Sequence, residues 1–152
     1  MVKTTFTRPA NTTAYTAGDV VGPALAALEF VNVGNPTTDV IITDADLEID
    51  ITAVPSGMTS FRLYLYNATP PSALADNAAF DLPAGDRASF LGYIDLGTPV
   101  DLGSTLYVQT SQINRNVKLG ATTSLFAYLV TVGGFTPASA TVKSITLHTV
   151  AV

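Results

Sequence analysis

The sequence predicts an all-β protein, an antiparallel β-sandwich of jelly-roll-like form with an extended N-terminal arm. Apolar and polar residues alternate with a period of two along most of the 152 residues, which is the pattern of half-buried strands. Gly and Pro turn signals separate these runs at short intervals, as they do in sandwiches and barrels. Helical periodicity is almost absent, and we expect one short helix, around residues 73–79.

Eight segments are rich in Val, Ile, Thr, Tyr and Phe, the residues that suit a pleated, half-buried surface. The predicted strands are residues 28–33, 39–43, 46–51, 61–66, 90–95, 105–110, 125–132 and 140–150. Because successive strand side chains point to opposite faces, Phe61, Leu63 and Leu65 are predicted to face the core. Tyr64 and Tyr66 are then expected on the other face.

The first 25 residues carry fewer strand signals than the rest of the chain. We expect residues 1–25 to form an arm or edge segment over the domain or a neighbour, and residues 26–152 to form one sandwich domain. Pro9 favours extended backbone and Tyr15 is a large anchor, so Phe6, Arg8, Pro9 and Tyr15 are candidate interface residues that grip a neighbour along a sheet edge. The alternative is an ordinary edge strand of the chain's own domain.

The surface implied by the composition is weakly charged. Charged residues make up 12% of the chain and apolar residues 47%, with a mean hydropathy of +0.36, whereas soluble domains carry about 25% charged residues. The chain contains 22 threonines, so its polar surface is expected to be rich in hydroxyl groups. Such a surface suits permanent assembly better than free diffusion, and we expect a homo-oligomer.

The charge, the hydropathy pattern and the Cys count argue against several classes of function. The net charge is −5 and the seven basic residues are scattered, so no basic patch for nucleic acid is expected. The longest uncharged stretch, residues 119–142, is interrupted by Thr, Gly and Pro and does not predict a membrane helix. The N-terminus lacks the apolar region of a secretory signal. The chain has no Cys, which rules out disulfides and thiol catalysis.

Acidic residues alternate at Asp44, Asp46, Glu48 and Asp50. This spacing starts like a calcium-binding EF-hand loop, but Ile and Pro occupy the positions that require Gly and a bidentate acid. We interpret the series as a solvated strand face, with a charged contact to another subunit and calcium as alternatives. Asp46, Glu48 and Asp50 complete the predicted interface set, and no metal ligand is assigned.

No catalytic group is predicted. His148 is the single histidine and lies on a predicted strand, and no nucleophile motif accompanies it. We therefore expect neither enzymatic activity nor a cofactor. Sugar binding is a weaker alternative, because the chain has no Trp although tyrosines can stack on sugar rings. The tyrosines that such a site could use are Tyr64, Tyr66, Tyr93, Tyr107 and Tyr128.

One segment carries a family resemblance. Residues 6–22 contain Arg-Pro at 8–9, Thr-Thr-Ala-Tyr at 12–15 and Gly-Asp-Val-Val at 18–21, and this stretch resembles small structural proteins of tailed bacteriophages. Residues 61–66, 76–80 and 91–94 are similar to the same group. The resemblance implies a capsid cement or decoration protein on the exterior of the virion, made in the host cytoplasm. It also implies a homotrimer bound to the major capsid protein or another virion protein. The alternatives are a tail, collar or fibre subunit and a carbohydrate-binding module.

Overall fold

The computed structural model describes residues 1–152 and contains ten β-strands and no α-helix. The strands are β1 (Val2–Thr7), β2 (Leu28–Phe30), β3 (Asp39–Ile49), β4 (Phe61–Tyr66), β5 (Phe90–Leu96), β6 (Val100–Asp101), β7 (Leu106–Thr110), β8 (Arg115–Lys118), β9 (Leu125–Thr131) and β10 (Val142–Ala151). They form two antiparallel sheets. The structure has no helix of the length and apolarity that a membrane span requires.

The strand order in the two sheets identifies the fold. Sheet 1 runs β1-β10-β3-β7-β6, with β8 also paired to β3, and sheet 2 runs β2-β9-β4-β5. The pairs are nested along the chain, since the first strand pairs with the last, the second with the next to last, and β4 with β5. This is a long hairpin rolled over itself, the arrangement of a jelly roll. The predicted all-β, jelly-roll-like sandwich is confirmed.

Strand β3 corrects one prediction, because it joins two segments that the sequence pattern separates. His148 pairs with Asp44 whereas Thr149 pairs with Ile42, which leaves Thr43 as an extra residue on β3. This β-bulge shifts the alternation by one residue. Ile42 and Ala45 are therefore both fully buried, although an unbroken strand would place them on opposite faces. The strand also ends at Ile49 rather than at residue 51.

Positive backbone φ angles correct two further predictions. The expected helix at residues 73–79 is a series of turns, because Ala73 (φ 45°) and Asn77 (φ 66°) lie in the left-handed region, which a right-handed helix excludes. Strand β2 ends at Phe30 rather than at residue 33, since Asn32 has φ 58°. Strand β1 corresponds to the edge-strand alternative for residues 1–25. Strands β6 and β8, only two and four residues long, were not predicted.

The main hydrophobic core lies between the two sheets. Twenty-seven buried residues form it, and Phe61, Leu63 and Leu65 of β4 are each fully buried within it, as the alternation predicts. Residues from β3, β9 and β10 belong to the same core. Burial of apolar side chains on this scale is the dominant stabilising contribution to such a fold.

A second, smaller core covers the outer face of sheet 2. Tyr66, Phe126, Tyr128, Val130 and Val20 are buried there. Apolar side chains from the connection between β4 and β5 pack over them; these are Leu74, Phe80 and Leu82. As a result all seven residues of β9 are buried, on both faces of the strand.

Candidate interaction surface

The N-terminal segment is held against its own domain by a buried ionic network. The Arg8 side chain is fully buried and its Nη2 lies 3.3 Å from Asp76 Oδ2, while Nε donates to the Tyr15 hydroxyl at 3.0 Å. Arg8 Nη1 donates to the Ala138 carbonyl at 3.1 Å and also to the Asn11 carbonyl. Because a buried guanidinium is stable only when it is paired and hydrogen-bonded, this network fixes the path of the chain after β1.

Tyr15 and Asp76 complete the network. The Tyr15 hydroxyl donates to Asp76 Oδ1 at 2.6 Å, and the backbone N–H of Gly22 donates to the same oxygen at 3.1 Å. The Tyr15 ring packs against Phe135 with 5.1 Å between ring centroids. Burial raises the pKa of Tyr15, and its hydrogen bond to the Asp76 carboxylate adds to the rise. The tyrosine is therefore an anchor within the chain itself.

Three of the predicted interface residues are thus inside the folded chain. Phe6, Arg8 and Tyr15 are 7%, 1% and 3% exposed, whereas Pro9 is half-buried at the surface. The structure brings Arg8 and Tyr15 together and places Phe6 in the main core. Asp76, which holds the two together, is not among the residues that the sequence analysis predicted for the interface. No local signal marks it, because its partners lie more than 60 positions away.

Lys143 lies close to this network and faces the sandwich interior. Lys143, Ile145 and Leu147 alternate along β10, so the Lys143 side chain points to the same face of the sheet as these two buried residues. Its Nζ is 5.9 Å from the Phe6 ring centroid. Burial lowers the pKa of Lys143 to about 8; the positive charge of Arg8 lowers it further, while Asp76 opposes the shift. Desolvation disfavours the charged form of an amine, so this lysine destabilises the fold at neutral pH.

The outer face of sheet 1 is polar and has no covering loop, although Ser144 and Thr146 at its centre are buried. We call it the polar face; its side chains belong to β1, β10, β3 and β7, and they are Lys3, Thr5, Asp44, Asp46, Glu48, Tyr107, Gln109, Ser144, Thr146 and His148. The strand register sets them in rows, so that Thr5, Ser144, Glu48 and Tyr107 lie side by side across the sheet. No loop of the chain forms an apolar layer over this face, in contrast to sheet 2.

The acids of the polar face are partly paired. Lys3 Nζ donates to Glu48 Oε2 at 2.7 Å, with both side chains almost half exposed. His148 Nε2 lies 2.9 Å from Asp46 Oδ2, and the other Asp46 carboxylate oxygen has no protein partner. Asp50 is exposed beyond the end of β3. The predicted acidic face therefore exists, and it mixes carboxylates with hydroxyl groups.

The polar face has no metal-binding or catalytic arrangement. No group of three or more His, Cys, Asp or Glu side chains is placed to hold a metal ion. A cleft of about 260 Å³ is lined by Glu48, Asp50, Thr105, Val142 and Ser144. It contains two carboxylates and two hydroxyl groups but no histidine that could serve as a base beside a nucleophile. This chemistry suits hydrogen bonding and charge pairing with another surface.

The tyrosines considered for sugar stacking are mostly enclosed. Tyr66 and Tyr128 are fully buried in the second core, and Tyr64 stacks on Phe80 with 3.9 Å between centroids. Tyr93 is 44% exposed, but the Arg62 guanidinium covers its ring at 5.0 Å. A stacking platform needs accessible ring faces, and this sheet offers little of that kind.

Comparison with known proteins adds solved structures but no sequence family. No protein-family model and no curated protein sequence matches the chain. Similar solved structures include the Israeli acute paralysis virus full particle, which is 11% identical with a TM-score of 0.30 and covers 100% of this chain and 72% of that one. The capsid of Ralstonia phage GP4 is 15% identical with a TM-score of 0.36 and covers 94% and 86%. The Kashmir bee virus virion at acidic pH is 14% identical with a TM-score of 0.28 and covers 99% and 70%. The fold assignment depends on the strand order.

Proposed function

We propose that this chain is a bacteriophage virion protein, a capsid cement or decoration protein that binds the outside of the shell and stabilises it. It acts by protein–protein contact without catalysis or a cofactor. The resemblance of residues 6–22 to small structural proteins of tailed phages supports the virion role. The jelly-roll strand order supports it as well, because this fold is common among capsid proteins.

The polar face is the observation that carries the proposal. It is a broad sheet surface with short hydroxyl and amide side chains, two partly paired carboxylates and no covering loop. A rigid, weakly charged surface loses little side-chain entropy and little hydration on binding. Each contact is then weak, but a shell repeats the same contact many times, which makes the lattice strong.

The partner we propose is the major capsid protein or another virion protein with basic groups at the contact. Asp46, Glu48 and Asp50 supply the negative charge, and Pro9 lies at the border of the same sheet. Phe6, Arg8 and Tyr15 act through the fold, since Phe6 lies in the main core and the buried network of Arg8 and Tyr15 holds the chain that leaves β1. Complementary charge at such a contact governs orientation and the association rate more than affinity.

The working form we propose is a homotrimer on the virion exterior, because shells offer local three-fold positions. Size-exclusion chromatography with light scattering tests this directly. A trimer that persists on dilution supports the proposal, whereas a monomer at every concentration contradicts the homo-oligomer.

The binding proposal is tested by co-sedimentation with empty capsids of the phage that encodes the chain. We expect saturable binding that weakens as salt is raised, because salt screens exposed charge pairs. The variant Asp46→Asn/Glu48→Gln/Asp50→Asn should bind several-fold more weakly. The matched control, Asp81→Asn/Asp95→Asn/Asp101→Asn, changes the same number of acids away from the polar face and should bind normally. Binding to purified tails instead of capsids would replace decoration with the tail alternative, and binding only to a glycan would favour a carbohydrate-binding module.

A further inference from the structure

Strand β1 is an outer edge of sheet 1 and pairs only with β10. The backbone N–H of Arg8 donates to the Thr141 carbonyl at 3.1 Å, which sets the phase of the hydrogen bonds along the strand. In an antiparallel pair, alternate residues bond to the same partner, so the even-numbered residues of β1 bond to β10. Lys3, Thr5 and Thr7 therefore direct their backbone N–H and C=O groups to the free edge, and all three residues are exposed.

The other sheet edges are short or blocked. Strand β2 has three residues and β6 has two. Strand β5 is longer, but its register shifts where Gly92 has φ 92°. The Arg115 guanidinium also lies against Gly92 and donates to the Leu91 carbonyl. Bulges, short strands and covering side chains are the devices by which proteins protect sheet edges from pairing.

Strand β1 carries none of these protections. Its six residues are in continuous register with β10, without a bulge. Proline first occurs at Pro9, after the strand has ended. Lys3 is the only charged residue in the strand, and its ammonium is directed across the outer face to Glu48. A regular edge of this length, with one lysine as its only protection, is a template for another strand.

We infer that the free edge of β1 pairs antiparallel with β1 of a second copy of this chain, around a two-fold axis at Thr5. Directly opposite residues must face the same side of the joined sheet. A register centred on Thr5 satisfies this and pairs every free-edge residue, Lys3 with Thr7 and Thr5 with its own copy. A register centred on Thr4 leaves Thr7 without a partner in β1 of the second copy, and a register centred on Phe6 leaves Lys3 without one.

Charge and polarity fit the same register. Lys3 faces the hydroxyl of Thr7 rather than the Lys3 of the second copy, so no like charges lie opposite each other, an arrangement that would destabilise the pairing. On the inner side, Thr4 faces Phe6. The contact uses the strand edge and leaves the polar face open. The inference therefore does not depend on the virion role, and this two-fold contact links one proposed trimer to another rather than forming the trimer itself.

Cysteine cross-linking tests the pairing, because the chain has no native Cys. In a hydrogen-bonded antiparallel pair the Cα atoms are about 5.5 Å apart, so two thiols at this position lie within reach of a short thiol-specific cross-linker. Thr5→Cys should form a covalent dimer with such a cross-linker. Thr7→Cys is an exposed control on the same edge that faces Lys3, and it should form far less dimer. Equal dimer from both variants, or none from Thr5→Cys, would overturn the inference.

Charge reversal at the axis provides an independent test. Thr5→Lys and Thr5→Glu each place like charges opposite one another and should weaken self-association by about fivefold, in the range measured for cross-strand pairs. Mixing the two variants should restore association to at least the level of the unmodified chain. Sedimentation equilibrium measures both effects, and circular dichroism checks that each variant is folded. If both single variants associate like the unmodified chain, or if the mixture stays weak, the two-fold register is wrong.

Discussion

The outer faces of the two sheets have the same strand geometry and opposite surfaces. On sheet 2, outward side chains are aromatic or aliphatic, and the connection between β4 and β5 lies over them. On sheet 1, outward side chains are hydroxyl groups, amides and partly paired charges, with no layer above them. The chain covers its apolar outer face itself, because exposed apolar area of that size would promote association. The face it leaves open is the one that water or a weakly charged partner can cover.

The largest expected effect comes from removing matched tyrosines from the two faces. Tyr128 is fully buried, packs edge-on against Tyr66, and accepts a hydrogen bond from the Leu74 N–H at 3.0 Å. Tyr128→Ala should lower the free energy of unfolding by about 3–5 kcal/mol, as for other large aromatic truncations. Tyr107 is a half-buried residue of the polar face, and Tyr107→Ala should cost less than about 1 kcal/mol. Urea denaturation measures both, and similar losses would contradict the comparison.

A pH dependence should come from Lys143 in the main core. Its folded pKa of about 8 lies below the ordinary lysine value of 10.5, so the unfolded chain binds more protons between these values. Stability therefore rises with pH across this window, by about 3 kcal/mol in total for a shift of this size. Above pH about 10 the rise should turn over, because burial raises the pKa of Tyr15 and Tyr66 in the folded state while the unfolded tyrosines ionise.

Thermal unfolding between pH 7 and 10 measures this dependence. Lys143→Met should remove the rise and stabilise the protein at pH 7, because no buried charge then has to be desolvated. Lys118→Met, at an exposed lysine, should leave the rise unchanged. A flat profile for the unmodified chain would contradict the assigned cause.

The hydroxyl groups of Tyr128 and Tyr66 in the second core should contribute differently to the free energy of unfolding. The Tyr128 hydroxyl is hydrogen-bonded, whereas the buried Tyr66 hydroxyl has no protein partner. Tyr128→Phe should therefore cost about 1 kcal/mol, which is typical of one lost hydrogen bond. Tyr66→Phe should change stability by less than half of that or stabilise the protein slightly. Paired denaturation curves decide this, and a larger loss for Tyr66→Phe would contradict the assignment.

The smallest effect is expected for the exposed ion pair of the polar face. Lys3 and Glu48 are 47% and 42% exposed as side chains, and water and salt screen pairs of this kind. A double-mutant cycle with Lys3→Met and Glu48→Gln should give a coupling below about 1 kcal/mol. The coupling should shrink further at high salt. A larger, salt-independent coupling would mean that the polar face contributes to folding rather than remaining available to a partner.

The acidic series shows how far sequence reasoning reached into the candidate site. Alternation correctly placed Asp46 and Glu48 on one outer face, because each strand obeys a local period of two. It did not predict that His148 would lie 2.9 Å from Asp46, since that contact depends on pairing between the third and last strands. The bulge at Thr43 was also not predicted, because it becomes apparent only when β3 is aligned with β10.

The N-terminal segment shows the limit more clearly. Pro9 and Tyr15 predicted an extended segment with an aromatic anchor for a neighbour, whereas the structure packs the Tyr15 ring against Phe135 of the same chain. The residue that receives the anchor, Asp76, lies 61 positions beyond Tyr15, in a connection that sequence reasoning expected to be partly helical. Several loop aspartates have the same local character, so nothing in the sequence marked Asp76 as the acceptor.

The sequence by itself determined the all-β class, most strand positions and which side chains face the core, because these follow from local periodicity and turn residues. Its composition determined that the surface would be neutral and rich in hydroxyl groups. Only the tertiary structure decided the nested strand order, the cover over sheet 2, the buried Arg8–Tyr15–Asp76 network and the free edge of β1. Each of these is a contact between segments far apart in the chain, whose pairing depends on the whole packed sandwich rather than on any local pattern.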